Sequence, residues 1–467
     1  MLAVVAAGLV LSRWLSRETA VPGVRDAEEA GSRAEAAAEA AARVTDLTGC
    51  FRAFPEVARG TLAGRWPGFR GALRDNVSEA GGLLAEWPEG GPRVLWETEV
   101  GDGHAMPAVD GGCLYLLDYD EARGGDMLRC LNADTGAMLW EHLYAVKTKR
   151  NHGISRTVAA TDGDAVVTVG PQCHVLCVSA TNGAYRWGVD MAQRYGTKVP
   201  LWYAGQCPLL EGGVAVLAPA GTGALMCGLD ARTGETVFET PNAQGLGMSH
   251  SSIVPMAVDG VRQYVYAGLG GIVGVAAEGE ARGQVLWHTA AFAPSVVAPS
   301  PVPLGDGRFM MVAGYGSGGA MFRVSRDASG AWQAEVLFKT DKKQFACEQQ
   351  SPVFLGGLLY TVLPSDGGGD RQQLVCMTPE GERLWGSGKD DLFGLGPYVA
   401  TADGLMFLLN DVGTLTLARV GRDGYRRLAR HALMDGKGRD AWGPMALLGG
   451  RLYLRDSTRL FCVEVGK

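Results

Sequence analysis

The sequence predicts an all-β fold, an eight-bladed propeller of four-stranded blades, from three observations. Glycine supplies 68 of the 467 residues beside an ordinary 47% hydrophobic content, which is about twice the roughly 7% glycine of average proteins. Because glycine costs a helix interior about 1 kcal/mol relative to alanine, that excess suits short strands and tight turns. From Val94 onward a unit of short apolar strands recurs about every 48 residues, the period of a propeller blade. The last unit lacks a fourth strand, and a strand without a unit stands ahead of the first.

Each unit opens on a turn of Asp-Gly or Gly-Gly type flanked by strand-forming residues. These turns fall at Asp110/Gly111, Asp162/Gly163, Gly212/Gly213, Asp259/Gly260, Asp306/Gly307, Gly356/Gly357, Asp403/Gly404 and Gly449/Gly450. Such dipeptides close hairpins. A second turn follows, DTG at 134–136, TNG at 181–183 and RTG at 232–234, then at Gly279, Gly330, Gly381 and Gly424. A bulky residue comes soon after it: Trp140, Trp187, Phe238, Trp287, Phe338 and Trp385, with Leu428 the weakest match. The eighth unit holds ALLGG, RLYLRD and RLFCVEV, and VLWETEV at 94–100 is its missing strand. That pairing joins the two ends of residues 94–467 and removes an exposed edge.

The N-terminal part differs. Residues 1–20 carry an apolar run from Leu2 to Leu11, then Arg13 and Arg17. The run is too short for a membrane-spanning helix and fits the hydrophobic part of an export signal; without a preceding positive charge, a signal anchor or an apolar helix remain alternatives. Residues 21–63, led by an alanine-rich acidic stretch, predict a helical linker. LTGC at 47–50 has the form of a lipid-attachment box but follows charged residues, and is read as coincidence. Residues 64–93, beginning GRWPGFRGALRDNVSEAGG, show no helix or strand period. A loop cannot bury its own aromatic rings, so Trp66, Phe69 and Trp87 are expected to pack against blade edges.

The pattern L-x-C/A-L-D-A-x-T-G-x-x-x-W, present as LRCLNADTGAMLW and VLCVSATNGAYRW, resembles the pyrroloquinoline-quinone-like (PQQ-like) repeat family. WPGFRGALRDNVS, followed by LLAEWPEGGPRVLWETEVG, resembles the tryptophan-led segment ahead of the closing strand in that family, and the resemblance spans residues 66–467. It implies an eight-bladed propeller and points two ways, toward quinoprotein dehydrogenases and toward the outer-membrane assembly lipoprotein of bacteria. The dehydrogenases hold their quinone beneath a disulfide of adjacent cysteines, beside calcium and a catalytic aspartate. The ten cysteines here include no adjacent pair. Cys130, Cys177, Cys227, Cys376 and Cys462 share one position of the third strand, where each is expected as a small buried hydrophobe kept from the others by the ring. Neither PQQ nor calcium, nor any other cofactor, is therefore expected.

Other motifs fail on context. There is no CxxC or HExxH, and the seven histidines are dispersed. GYGSGG at 314–319 lies between two strands instead of a strand and a helix, and GMSHS at 247–251 lacks the closing glycine of a nucleophile elbow. Asp118, Asp120 and Asp126 in LDYDEARGGD are oxygen ligands in type, but the stretch is read as a solvated loop. A net charge of −7 and a pI near 5.6 supply no electrostatic footprint for nucleic acid or an anionic membrane.

The polar and aromatic residues gather instead in the segments leading into the first strands: KRNHGISR, KVPLWYAGQ, GMSHSS, FACEQQSP and DAWGP. In a propeller these line the mouth of the central channel. Arg150, Asn151, His152, Arg156, Trp202, His250, Glu348, Gln349 and Trp442 would converge there, with charges for a carboxylate or phosphate and indole faces for a sugar, a ring or a peptide aromatic. The same groups would equally satisfy backbone atoms around a water-filled channel. The expectation is a non-catalytic binding or scaffolding propeller, periplasmic or otherwise extracytoplasmic, tethered at most through its N-terminus. Its partner would be an envelope protein, a peptide or a polar small molecule, with no catalytic or metal-binding residue. The alternative is a quinoprotein-like oxidoreductase, or another enzyme, with its site at the channel mouth.

Overall fold

The computed structural model describes residues 45–436 and 440–466; the signal-like residues and 21–44 of the expected helical linker lie outside them. The described chain forms eight antiparallel sheets, each built on four sequence-consecutive strands except the last. Blade 1 runs Ala108–Asp110, Cys113–Asp120, Gly125–Asn132 and Met138–Ala145, from the innermost strand outward. Blades 2 to 7 follow at 160–190, 209–240, 254–289, 302–340, 353–386 and 398–432. Blade 8 takes Ala446–Leu448, Arg451–Arg455 and Arg459–Glu464 from the C-terminal end and its outer strand, Val94–Glu99, from ahead of blade 1. All eight first turns sit between the first and second strands of a blade, so turn chemistry alone set the frame.

One device recurs around the ring. In every blade but the seventh, where Leu428 falls in the bulge, the bulky residue of the outer strand stands opposite a small or slender residue of the third strand: Trp140 against Cys130, Trp187 against Cys177, Trp385 against Cys376 and Trp96 against Cys462. In blade 3 Gly228 takes that place opposite Phe238, and Cys227, expected there, lies one residue away opposite Glu239. A register shift, the mark of a β-bulge, falls at this level in every blade and adds twist. At four of the boundaries the ring then lies beneath the second-turn glycine of the next blade, at Gly136, Gly183, Gly234 and Gly381. A β-carbon at Gly136 would stand 2.7 Å from the Trp96 ring, and one at Gly183 2.8 Å from Trp140. Glycine is required at Gly136 twice over, by that approach and by its φ of +73°. Trp96 and Trp187 also donate their indole N–H to carbonyls of the next blade, Ala133 and Ala231. All the cysteines among the described residues are free thiols, and all but Cys50 are buried.

Residues 45–63 depart from the helical expectation. Cys50–Ala53 is a strand that pairs antiparallel with Met138–Ala145 and gives blade 1 a fifth strand at its outer edge. The alanine-rich composition ends before it, and an open strand edge with unpaired N–H and C=O groups lies alongside.

The segment after Gly64 does more than pack on blade edges. Arg65–Trp66 pairs with the inner strand of blade 1, and the Pro67 carbonyl accepts from Thr161 of blade 2. Arg74 donates to Leu210 of blade 3, Arg70 to Pro352 ahead of blade 6, and Val77–Ser78 pairs parallel with the inner strand of blade 7. Ser78 Oγ then donates to Leu447 of blade 8. A segment bonded to the inner strands of five blades and to the residue just ahead of a sixth runs across the bore and closes one end of it. Trp66 is buried as expected and Trp87 partly so, whereas Phe69 faces the bore.

Candidate functional site

At the other end of the bore, the segments that join one blade to the next enclose a cavity of about 300 Å³. That is the small end of the range for ligand sites. Of the expected residues, His152, Arg156, Trp202, His250, Glu348, Gln349 and Trp442 line it. Arg150 and Asn151 do not. Arg150 is ion-paired with Asp102, and Asn151 donates to the Leu201 carbonyl at 2.8 Å. The chain turns through left-handed backbone at His152 (φ +53°) and Gly153 (φ +88°), which parts these two from the residues that follow.

Sequence reasoning missed several wall residues. His104 leads into blade 1 in GDGHAMP, the same position that singled out the others, so it was findable. Tyr315 belongs to GYGSGG between the second and third strands of blade 5, and Phe69 comes from the segment crossing the bore. Neither carries a sequence signal for the cavity. Phe69 forms the floor, since its segment closes the far end.

The side chains are held by their neighbours. Arg156 Nε donates to the Trp202 carbonyl at 2.5 Å, and Nη2 to the carbonyls of Asn151 and His152, so most of the guanidinium expected for a ligand binds backbone. Trp202 lies parallel to Tyr315, with ring centroids 6.2 Å apart at 10°, and tilts over His250 at 6.1 Å. Trp202 leads into blade 3 and Tyr315 belongs to blade 5, so this stack bridges past blade 4 and covers part of the mouth. Trp442 donates its indole N–H to Asp411 at 2.8 Å and tilts 5.4 Å from His104. Glu348 Oε1 accepts from the Ser365 N–H and Oγ, at 2.9 and 2.5 Å.

Two of the histidines are not cationic. His104 Nε2 sits 2.9 Å from the His152 carbonyl and must carry the proton there, leaving Nδ1 as a buried acceptor without a partner. Burial pushes this ring's pKa down to about 3, helped by the charges of Arg156, Arg455 and Arg150. Burial and Arg156 bring His250 to about 4. With these two rings neutral, the groups left to pair with a carboxylate or phosphate are the partly committed Arg156 guanidinium and the exposed His152. The Cys207 thiol at the wall is pushed up to about 11 by burial and holds no thiolate at neutral pH.

Asp118 and Asp126, read from sequence as parts of a solvated loop, are fully buried. The hairpin is longer than the sequence pattern showed: its strands extend to Asp120 and from Gly125, which draws both carboxylates inside the sheet. Asp118 pairs with Arg129 and Asp126 accepts from the Tyr144 hydroxyl, each at 2.8 Å. Among the described residues no group of three His, Cys, Asp or Glu is placed to hold a metal ion. No helix among them is long and apolar enough to cross a membrane.

Comparison with known proteins accords with this geometry. BamB from Moraxella catarrhalis superposes with a TM-score of 0.52 at 15% identity, covering 80% of this chain and 99% of that one. A europium-containing methanol dehydrogenase gives 0.62 at 11%, covering 86% and 98%. Quinohemoprotein alcohol dehydrogenase ADHIIG from Pseudomonas putida HK5 gives 0.55 at 13%, covering 86% and 80%. At these identities the likeness is one of fold. No curated protein matches the sequence. The pattern of the family described as outer membrane protein assembly factor BamB matches residues 123–376, more than half of the chain, and with the eight interlocked blades this places the protein in that family of PQQ-like repeat propellers.

Proposed function

We propose that this chain is a non-catalytic binding propeller of the bacterial cell envelope, taking a ligand or a partner's side chain into the blind cavity at the channel mouth. The observation that carries the reading is the cavity itself: aromatic faces and polar groups from blades far apart in sequence, already fixed in place by hydrogen bonds to backbone and side-chain partners. Preorganised walls lower the cost of binding. Extracytoplasmic placement rests on the family, one of whose members is named for outer-membrane assembly.

Against the oxidoreductase alternative stand the residues at the site. A flat tricarboxylate quinone asks for several free cations; the wall offers Arg156, largely bound to carbonyls, and opposes it with Glu348. No adjacent cysteines are available to cover the quinone. These residues do not fit the group. Purified protein incubated with PQQ and calcium, then desalted, is expected to show no quinone absorbance.

The binding reading is tested by thermal-shift screening of small polar molecules and peptides against the wild type and Ala298→Trp, which fills the cavity from its wall. Compounds that raise the melting temperature of the wild type and not of the variant support it. Hits that the variant retains, or a screen without hits, refute it.

A further inference from the structure

The walls of the cavity also bear on the class of its ligand. Among the described side chains that line it, Arg156 is the only arginine or lysine, Glu348 the only carboxylate and His152 the one exposed histidine. Arg156 and Glu348 lead into blades 2 and 6, half a turn of the ring apart, and their formal charges cancel. His104 and His250 are neutral.

Neither charged group is free to act as a fork. Arg156 has spent Nε and Nη2, which leaves Nη1 as a single donating nitrogen; Glu348 has spent Oε1 on Ser365, which leaves Oε2 as a single acceptor. Capture of a carboxylate or phosphate favours two parallel N–H donors, and a cation at the Trp202 face would meet the Arg156 charge bonded to that residue's own carbonyl. Single donors and acceptors on opposite walls suit a group that both donates and accepts at one atom, which is a hydroxyl. Gln349, which lines the cavity, adds a side-chain amide that does both. The flat faces of Trp202 and Trp442 complete the set, since a pyranose presents C–H groups on one face and hydroxyls around its rim.

We propose, building on the binding reading above, that the cavity takes a neutral sugar ring, the terminal or exposed residue of a glycan. The ring lies against Trp202 or Trp442, and its hydroxyls donate to Glu348 Oε2 and accept from Arg156 Nη1.

The test titrates the full chain with glucose, N-acetylglucosamine and their β-1,4-linked trimers, and with glucuronate, glucosamine and glycylglycine. Tryptophan emission and ligand-observed NMR give the dissociation constants. At least one neutral saccharide is expected to bind, with its uronate and amino counterparts about tenfold or more weaker, the size of one lost or opposed charge-assisted contact. Glu348→Gln is expected to weaken the neutral sugar by about tenfold; because this change also touches Ser365, the wild-type comparison of glucose with glucuronate stands as the independent arm. Tighter binding of the charged sugars or of the zwitterionic dipeptide overturns the proposal. If every saccharide is silent while other compounds give shifts that Ala298→Trp abolishes, the sugar proposal falls and the binding reading survives. Silence in both experiments removes both.

Discussion

Arg455 is fully buried and, among the described residues, its direct partners are carbonyls and no carboxylate. Its guanidinium donates to the carbonyls of Asp456, Ala105, Gly101 and Ser457, the first and last on blade 8 and the middle two on the segment leading into blade 1. One side chain thus satisfies the seam where the ring closes. Replacing it by methionine strands three carbonyls, since that of Ser457 keeps the Gly103 N–H, and Arg455→Met is expected to cost about 3 kcal/mol or more in urea denaturation. Asp126 makes a different prediction. Burial raises its pKa to about 7, while an unfolded aspartate titrates near ~3.9. The folded state therefore binds the extra proton between those values, and this group makes stability fall as pH rises from about 4 to about 7. Asp126→Asn should remove that slope, read as the difference between wild-type and variant stability across the range. His104 and His250 act in the opposite sense. Their folded values of about 3 and about 4 lie below an unfolded ~6.5, so stability is lost on acidification below about 6.5. A His250 ring titration by NMR near 6.5, instead of near 4, would contradict the buried setting described above.

Among the elements, the second turn and the outer strand act as one unit at the boundaries where Gly136, Gly183, Gly234 and Gly381 cover Trp96, Trp140, Trp187 and Phe338. Gly136→Ala adds a β-carbon 2.7 Å from Trp96 at a left-handed φ, and is expected to destabilise by about 1–3 kcal/mol. The same change at Gly330, where nothing approaches a β-carbon, carries the φ penalty alone and should cost less. A pair of melts decides this. These glycines and tryptophans were legible in the sequence because one contact repeated around the ring leaves one motif repeated along the chain. The segment crossing the bore occurs once, so no period marks it. Arg70, Arg74 and Asn76 all adopt positive φ there, and Arg70 is held by carbonyls of residues 74, 75 and 352. Such backbone persists only where tertiary bonds over-determine it. Phe69→Ala should enlarge the cavity from below and lower the melting temperature less than Trp66→Ala, since Trp66 is 4% exposed and packed in the core while Phe69 is only partly buried.

At the scale of the molecule, closure is the decisive feature. Val94–Glu99 pairs with Arg459–Glu464 from Glu99 opposite Arg459 to Val94 opposite Val463, so the two ends of the propeller share one sheet. Without that strand, blade 8 exposes an edge and the Trp96 contact with blade 1 is lost. A chain lacking residues 94–100 is expected to melt well below the intact propeller and without a single cooperative transition. Equal melting temperatures would refute closure by this strand. The bore segment adds a second cross-brace through five blades and the residue just ahead of a sixth, so closure is shared between a strand at the rim and a chain across the middle.

What the sequence determined by itself was everything that repeats or completes a repeat: eight blades, their turns, four of the five cysteines placed at one level of the third strand, and the lone strand that closes the ring. It also indicated which segments meet at the channel mouth, because connectivity in a propeller sends every inter-blade segment to the same end. Only the tertiary structure decided what those residues do there. Hydrogen-bond partners at distant positions took Arg150 and Asn151 out of the cavity and bound much of Arg156 to carbonyls. Burial made His104 and His250 neutral, drew Asp118 and Asp126 inside, and brought Tyr315 onto Trp202 from two blades away. Desolvation and partner geometry depend on atoms a blade or more apart in the chain, and no local pattern encodes them.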